Sequence, residues 1–278
     1  MITFDNVSKI YPDGTVAVDG VSLEVAENST TVLLGTSGSG KTTMMRMVNR
    51  MVSPTSGQVL VAGSDVAESH PVKLRRSIGY VLQDGGLFPH RRVIDNITTV
   101  PILDGVPKAK AQGNALELMD IVGLDRDLAS RFPAQLSGGQ RQRVGVARAL
   151  ANDSKILLMD EPFGALDPLV RADLQQELRA LQHRIGVTIL FVTHDVDEAF
   201  LLGDQIVVLR TGGVMAQAGT PQELLSNPAD EFVADFVGAK ASRRQLRATD
   251  VDGVRLILDE AGRPLGTLSS DEVTEAAS

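Results

Sequence analysis

Gly35-Thr36-Ser37-Gly38-Ser39-Gly40-Lys41-Thr42 has the form G-x-x-x-x-G-K-[ST], the pattern of a phosphate-binding loop. The run Thr30 to Leu34 before it is apolar and β-branched, and Thr42 to Met51 after it suits a helix. The motif therefore sits in the strand, loop and helix context that it requires. Its glycines let the backbone curl so that successive N–H groups converge on phosphate oxygens. The helix that follows adds the positive end of its dipole at the same point. Lys41 supplies a mobile charge for the β- and γ-phosphates, and the Thr42 hydroxyl can ligate Mg²⁺. Without that context the stretch would read as a Gly/Ser-rich turn.

The chain has 278 residues, 43% of them hydrophobic and 22% charged, enough for a substantial α/β core with a small appendage. No apolar stretch is long enough to span a bilayer, and Met1 to Asp5 shows neither the basic region nor the apolar core of a secretory signal. There are no cysteines, so disulfides and thiolate metal sites are excluded. A cytosolic protein is expected. The net charge of −8 speaks against a nucleic-acid partner. Histidines 70, 90, 183 and 194 are scattered, without metal-ligand spacing.

Residues 1 to 34 read as short strands with turns at Pro12-Asp13-Gly14 and Ala26-Glu27-Asn28. Further strands are expected at Val59 to Ala62 and Ile78 to Leu82. Lys108 to Val122 has helical spacing, and Gly138 to Ala151 is a second helix. Beyond it, strands at 156–159, 188–192 and 205–209 alternate with helices at 169–185 and 195–202, which predicts a mostly parallel sheet covered by helices. From about Gly238 the chain changes character. Val254 to Leu258 and Pro264 to Leu268 read as a hairpin around an Asp-Glu-Ala-Gly turn, with a short helix from Ser270.

Ile156-Leu157-Leu158-Met159-Asp160-Glu161 is an apolar strand ending in two acids, at the strand end where open α/β sheets bind ligands. Asp160 suits a Mg²⁺ shell, and Glu161 suits a general base that orients and deprotonates water. Gln83 follows the strand at 78–82 and could reach Mg²⁺ or the water; by itself it equally reads as an exposed glutamine. His194 ends another strand and could donate to a γ-phosphate; by itself it equally reads as a hydrogen-bonded helix start. Leu136-Ser137-Gly138-Gly139-Gln140 opens a helix with a good N-cap and exposed N–H groups. That gives two phosphate-seeking helix ends where one nucleotide needs one.

In this order, with Ala165-Leu166-Asp167, these motifs resemble an ATP-binding-cassette ATPase over about residues 1–236. The resemblance implies an α/β fold of the P-loop NTPase, ABC ATPase type. Its core is a mostly parallel sheet, with an N-terminal antiparallel β subdomain and an inserted α-helical subdomain at about 84–150. It implies that ATP is bound by Gly35, Thr36, Ser37, Gly38, Ser39, Gly40, Lys41, Thr42 and Thr43. Tyr11 would stack on adenine, though it also reads as a strand-edge aromatic. Mg²⁺ would be held by Thr42, Gln83 and Asp160; Glu161, His194 and Gln83 would be catalytic. Ser137, Gly138, Gly139 and Gln140 would serve the nucleotide of a second copy paired head to tail.

The stretches 79–90, 193–199 and 227–233 are similar to cassettes of bacterial importers for glycine betaine, choline and carnitine. That similarity implies two membrane permease subunits and an extracytoplasmic substrate-binding protein as partners, and a place at the cytoplasmic face of the membrane. Arg91-Arg92-Val93 departs from the Thr-Val pair that relatives often carry after Phe-Pro-His. Residues 237–278 resemble a truncated cystathionine-β-synthase-type motif, for which a dimer-packing or vestigial role is expected. The alternatives are an importer for another small solute, and a soluble cassette protein of DNA repair or translation. The second would carry a long coiled-coil insertion or a second cassette, and neither is in the sequence.

Overall fold

The chain opens with two antiparallel strands, β1 (Ile2–Ile10) and β2 (Val16–Val25), and runs through β3 (Thr30–Gly35) into helix α1 (Lys41–Val48). Strands β4 (Ser56–Val61) and β5 (Ser64–Asp65), helix α2 (Pro71–Ser77) and strand β6 (Ile78–Val81) follow. A helical stretch comes next: α3 (Val93–Ile97), α4 (Thr99–Leu103), α5 (Lys108–Ile121), two short 3₁₀ turns, and α6 (Gly138–Leu150). Then β7 (Ile156–Asp160), α7 (Pro168–Ile185), β8 (Thr188–Thr193), α8 (Val196–Leu202), β9 (Gln205–Arg210) and β10 (Val214–Gly219) complete the alternating part. Helices α9 (Pro221–Ser226) and α10 (Glu231–Phe236) and strands β11 (Arg247–Val251), β12 (Val254–Leu258) and β13 (Pro264–Leu268) lie beyond. This computed structural model describes residues 1–83, 85–238, 247–251, 254–258 and 264–268. The chain forms two compact units, Met1–Gln222 and Glu223–Ser278, dividing within α9.

In the first unit a six-stranded sheet has the order β10-β9-β3-β8-β7-β6, and all its pairs are parallel except β9 with β10. A second sheet, β2-β1-β4-β5, is antiparallel. Every residue of β3 and β8 is buried, as expected of central strands covered on both faces. Helix α1 lies in the core shared by the two sheets. Met44, Met45, Met47 and Val48 are each 0% exposed, in one cluster with Phe4 and Val25 of the antiparallel sheet and Leu33 and Leu190 of the parallel one. Each such side chain contributes about 1.5–3 kcal/mol of burial, so the helix behind the loop is anchored from two sides.

The expected helices begin on capping groups. Ser137 and Gln140 form a capping box at the start of α6. Asp167 caps α7 with Pro168 at its first position, and Gly186 ends that helix in the left-handed conformation. The N-terminal strands are longer than expected, 9 and 10 residues, pairing from Ile2 with Val25 to Ile10 with Val16 across the first anticipated turn, with register shifts between Phe4 and Ile10. In the second unit Asp230 caps α10, and β11, β12 and β13 form an antiparallel sheet with β12 in the middle. The hairpin strands lie where they were expected, and β11 is an addition. The expected turn at 259–262 and helix from Ser270 lie outside the described residues.

Candidate functional site

The loop between β3 and α1 wraps around the Lys41 ammonium. Lys41 is 5% exposed, and its Nζ donates to the Gly35 and Thr36 carbonyls, both at 2.8 Å. Burial pulls its pKa below the ordinary lysine value, and the charges of Glu161 and Asp160 oppose that shift. Gly40 has φ 89°, and a Cβ there would overlap the Ala17 carbonyl, so only glycine brings the loop this close to β2. Ser37 to Thr43 and Glu161 line a cleft of about 180 Å³.

Strand β7 delivers the two acids to the mouth of this cleft. Asp160 Oδ1 accepts from the Thr42 hydroxyl at 2.9 Å, and Oδ2 accepts from the Tyr80 hydroxyl at 3.4 Å. The charge of Arg46, one turn after Thr42 on α1, acts on the Tyr80 phenol and favours its ionised form. Burial pushes the Tyr80 pKa up, so the phenol keeps its proton and donates it. Glu161 stands at φ 46°, in the left-handed region that a side-chain-bearing residue seldom adopts, and its N–H donates to the Val192 carbonyl at 3.0 Å. Such backbone strain costs about 1–3 kcal/mol and clusters at functional positions. Its carboxylate Oε2 lies 3.2 Å from His194 Nδ1. The structure thus brings Lys41, Thr42, Asp160, Glu161 and His194 together. Sequence reading missed Tyr80 and Arg46. Tyr80 looked like one more residue of an apolar strand, and no local pattern marks a contact between β6 and α1.

Thr42 and Asp160 offer oxygen donors only, which suits a hard cation such as Mg²⁺. Among the described residues no cluster of three or more His, Asp and Glu could enclose a metal. Gln83 is exposed, and its amide lies against Gly164, three residues past Glu161: a Cβ on Gly164 would come 2.9 Å from Gln83 Nε2. Tyr11 follows β1 at a turn, with Lys9 Nζ 5.4 Å from its ring centroid. Ser137, Gly138, Gly139 and Gln140 stand at the start of α6 beside α7, with Gly139 closely facing Val170. They are not among the residues that line the loop cleft.

A second cleft, about 550 Å³, lies in the helical stretch and is rimmed by His90, Arg91, Arg92 and Lys108 over Ile102 and Leu103. Leu103 is 60% exposed. Fully buried Asn96 fixes one wall: its amide accepts from Phe88 N–H at 2.7 Å and donates to the Phe88, Arg91 and Arg92 carbonyls. Arg148 of α6 donates to the Gly85 and Gly86 carbonyls, both at 2.7 Å, tying the segment after Gln83 to α6. A third cleft, about 310 Å³ and largely apolar, lies between α5, α6 and α7 and shares none of the loop residues.

The family model described as ABC transporter matches residues 18–164. The choline transport ATP-binding protein OpuBA of Bacillus subtilis is 45% identical over 100% of this chain and 71% of its own length. The carnitine transport ATP-binding protein OpuCA of Listeria monocytogenes is 48% identical over 86% of this chain and 60% of its own length. Among solved structures, the dimeric ATP-binding cassette MJ0796 bound to ADP and Pi has a TM-score of 0.71 at 33% identity, covering 79% of this chain and 98% of its own.

Proposed function

The chain belongs to the ABC transporter family, and from that premise we propose that it is the ATP-hydrolysing subunit of an importer for quaternary-amine osmoprotectants, such as choline, carnitine and glycine betaine. The observation that carries the solute class is the set of relatives: choline, carnitine and glycine betaine proteins match at 44–48% identity, and the choline relative does so over the whole chain. The choline relative aligns with 100% of this chain, tail included, whereas the spermidine/putrescine import protein PotA of Mesorhizobium japonicum aligns with 84%. Residues 1–236 form the cassette in this reading, and 237–278 a separate tail.

Lys41 and the N–H groups of Gly38, Ser39, Gly40, Lys41, Thr42 and Thr43 grip the β- and γ-phosphates. Tyr11 stacks on the base. Thr42 and Asp160, joined by Gln83, would hold Mg²⁺, which supplies charge neutralisation on the phosphate oxygens. Glu161 takes a proton from the attacking water as the water oxygen bonds to the γ-phosphorus, and the bond to the β–γ bridging oxygen breaks to release ADP. The 3.2 Å contact with His194 supports a shared role, in which the imidazole orients the Glu161 carboxylate and meets the γ-phosphate. Ser137, Gly138, Gly139 and Gln140 complete the site of a second copy head to tail. A helix end contributes about 0.3–1 kcal/mol to an anion, up to about 2 when partly buried. The cation-rimmed cleft at Arg91 and Arg92 receives a permease subunit at the cytoplasmic face of a bacterial membrane. The extracytoplasmic binding protein selects the solute.

The direct test is Glu161→Gln. ATP binding should persist while turnover falls about 10²–10⁴-fold, the scale of a lost general base; unchanged steady-state hydrolysis would remove Glu161 from the role. The solute class is tested with the assembled complex in vesicles: ATP-driven uptake of labelled choline or glycine betaine supports it. Uptake of spermidine alone would replace it with a polyamine.

A further inference from the structure

We propose that Tyr80 is a positioning residue for ATP hydrolysis: its hydroxyl, steered by Arg46, fixes Asp160 so that this carboxylate and the Thr42 hydroxyl stay aimed at the cation that accompanies ATP. The inference rests on assigning Thr42 and Asp160 to that cation. Helix α1 reaches Asp160 by two routes. Thr42 donates directly to Oδ1 at 2.9 Å. Arg46 lies four residues later, on the same helix face, and its charge acts on the Tyr80 phenol, whose hydroxyl donates to Oδ2 at 3.4 Å. Strand β6 holds Tyr80 in place: it pairs in parallel with β7, Tyr80 opposite Leu158 and Val81 opposite Met159, so the ring reaches the end of β7 where Asp160 emerges.

The consequence concerns the carboxylate plane. The terminal torsion of an aspartate is broad and two-fold, so a carboxylate held at one oxygen still swings. Held at both, it presents one face. The Thr42 proton is then committed to Asp160, which leaves the hydroxyl lone pairs directed outward to a cation. Removing the Tyr80 hydroxyl leaves Thr42 as the one side chain among the described residues that donates to Asp160. A network member of this kind acts through its neighbour and touches no phosphate itself.

The test is Tyr80→Phe in the full chain, read by titrating Mg²⁺ against binding of a fluorescent ATP analogue and, separately, against hydrolysis. The Mg²⁺ midpoint should rise about 3- to 10-fold, the worth of one net hydrogen bond. Binding of the analogue without Mg²⁺ and the rate at saturating Mg²⁺ should stay near the parent values. Arg46→Met should shift the midpoint in the same direction, and Arg46→Lys should restore part of it. An unchanged midpoint in Tyr80→Phe overturns the proposal. So does a fall in melting temperature and maximal rate with no midpoint shift, which is the mark of a merely structural tyrosine. Thr42→Ala separates the two layers. If it shifts the midpoint and Tyr80→Phe does not, Tyr80 alone is wrong; if it shifts nothing, the cation assignment falls.

Discussion

Lys41 spends its two short hydrogen bonds on the Gly35 and Thr36 carbonyls of its own loop, and these are the ones a triphosphate would replace. Hydrogen bonds to a charged group are worth about 1.5–3 kcal/mol, so Lys41→Ala should weaken ATP binding by about 10- to 100-fold in calorimetry. Full affinity in that variant would contradict the phosphate assignment. Glu198 shows a different use of burial. It is 7% exposed, and desolvation raises its pKa, against hydrogen bonds from Thr193 and Gln175. A carboxyl whose pKa is raised on folding stabilises the protein most below its unfolded value, and that stability is lost as pH rises through the folded value. Glu198→Gln carries no such proton. Its melting temperature should therefore fall less than the parent's as pH rises above the ordinary carboxylate range; parallel curves would place the dependence on another group.

The elements that sequence reading found are those whose pattern is local. The loop, its strand and its helix announce themselves through Gly35 to Thr42, and the four parallel strands 78–81, 156–160, 188–193 and 205–210 through continuous apolar runs. The expected helix at 42–51 ends early, at Val48, with Asn49 at its C-cap. Missed were α2, α3 and α4, each only 5 to 7 residues long and too short for a helical period to show. Missed too was β10, whose Val-Met-Ala-Gln-Ala-Gly has weak strand preference and pairs as an antiparallel edge. The division of the chain within α9 had no compositional mark. Of the site, the motif residues were legible, whereas the Arg46–Tyr80–Asp160 relay depends on three elements meeting in space. Close packing between elements also hides in single glycines. A Cβ on Gly79 of β6 would overlap both the Ala149 carbonyl of α6 and the Leu157 side chain. Gly79→Ala should cost about 1–3 kcal/mol through overpacking. For a unit this size that is about 2–12 °C in melting temperature, and an unchanged melting temperature would mean that α6 rides more loosely on β6.

The starts of α1 and α6 line no common cleft, so in the proposed reading a single copy would be an unfinished device. A cassette of similar fold has been solved as a dimer. A mixing experiment tests the arrangement. Lys41→Ala and Ser137→Arg should each be inactive alone. Mixed, they form pairs in which one site carries both defects and the other carries none, so hydrolysis should return to a sizeable fraction of the parent rate. A mixture as silent as its components would contradict the head-to-tail pairing. Elsewhere on the same molecule, Asn96 has already set the shape of the wall that presents Arg91 and Arg92, using four hydrogen bonds before any protein arrives. A surface cast in advance loses little disorder on contact and cannot mould itself to a stranger. Were a membrane subunit to dock there, as proposed, such stiffness would act as a sorting rule: a mismatched subunit would be turned away at first touch.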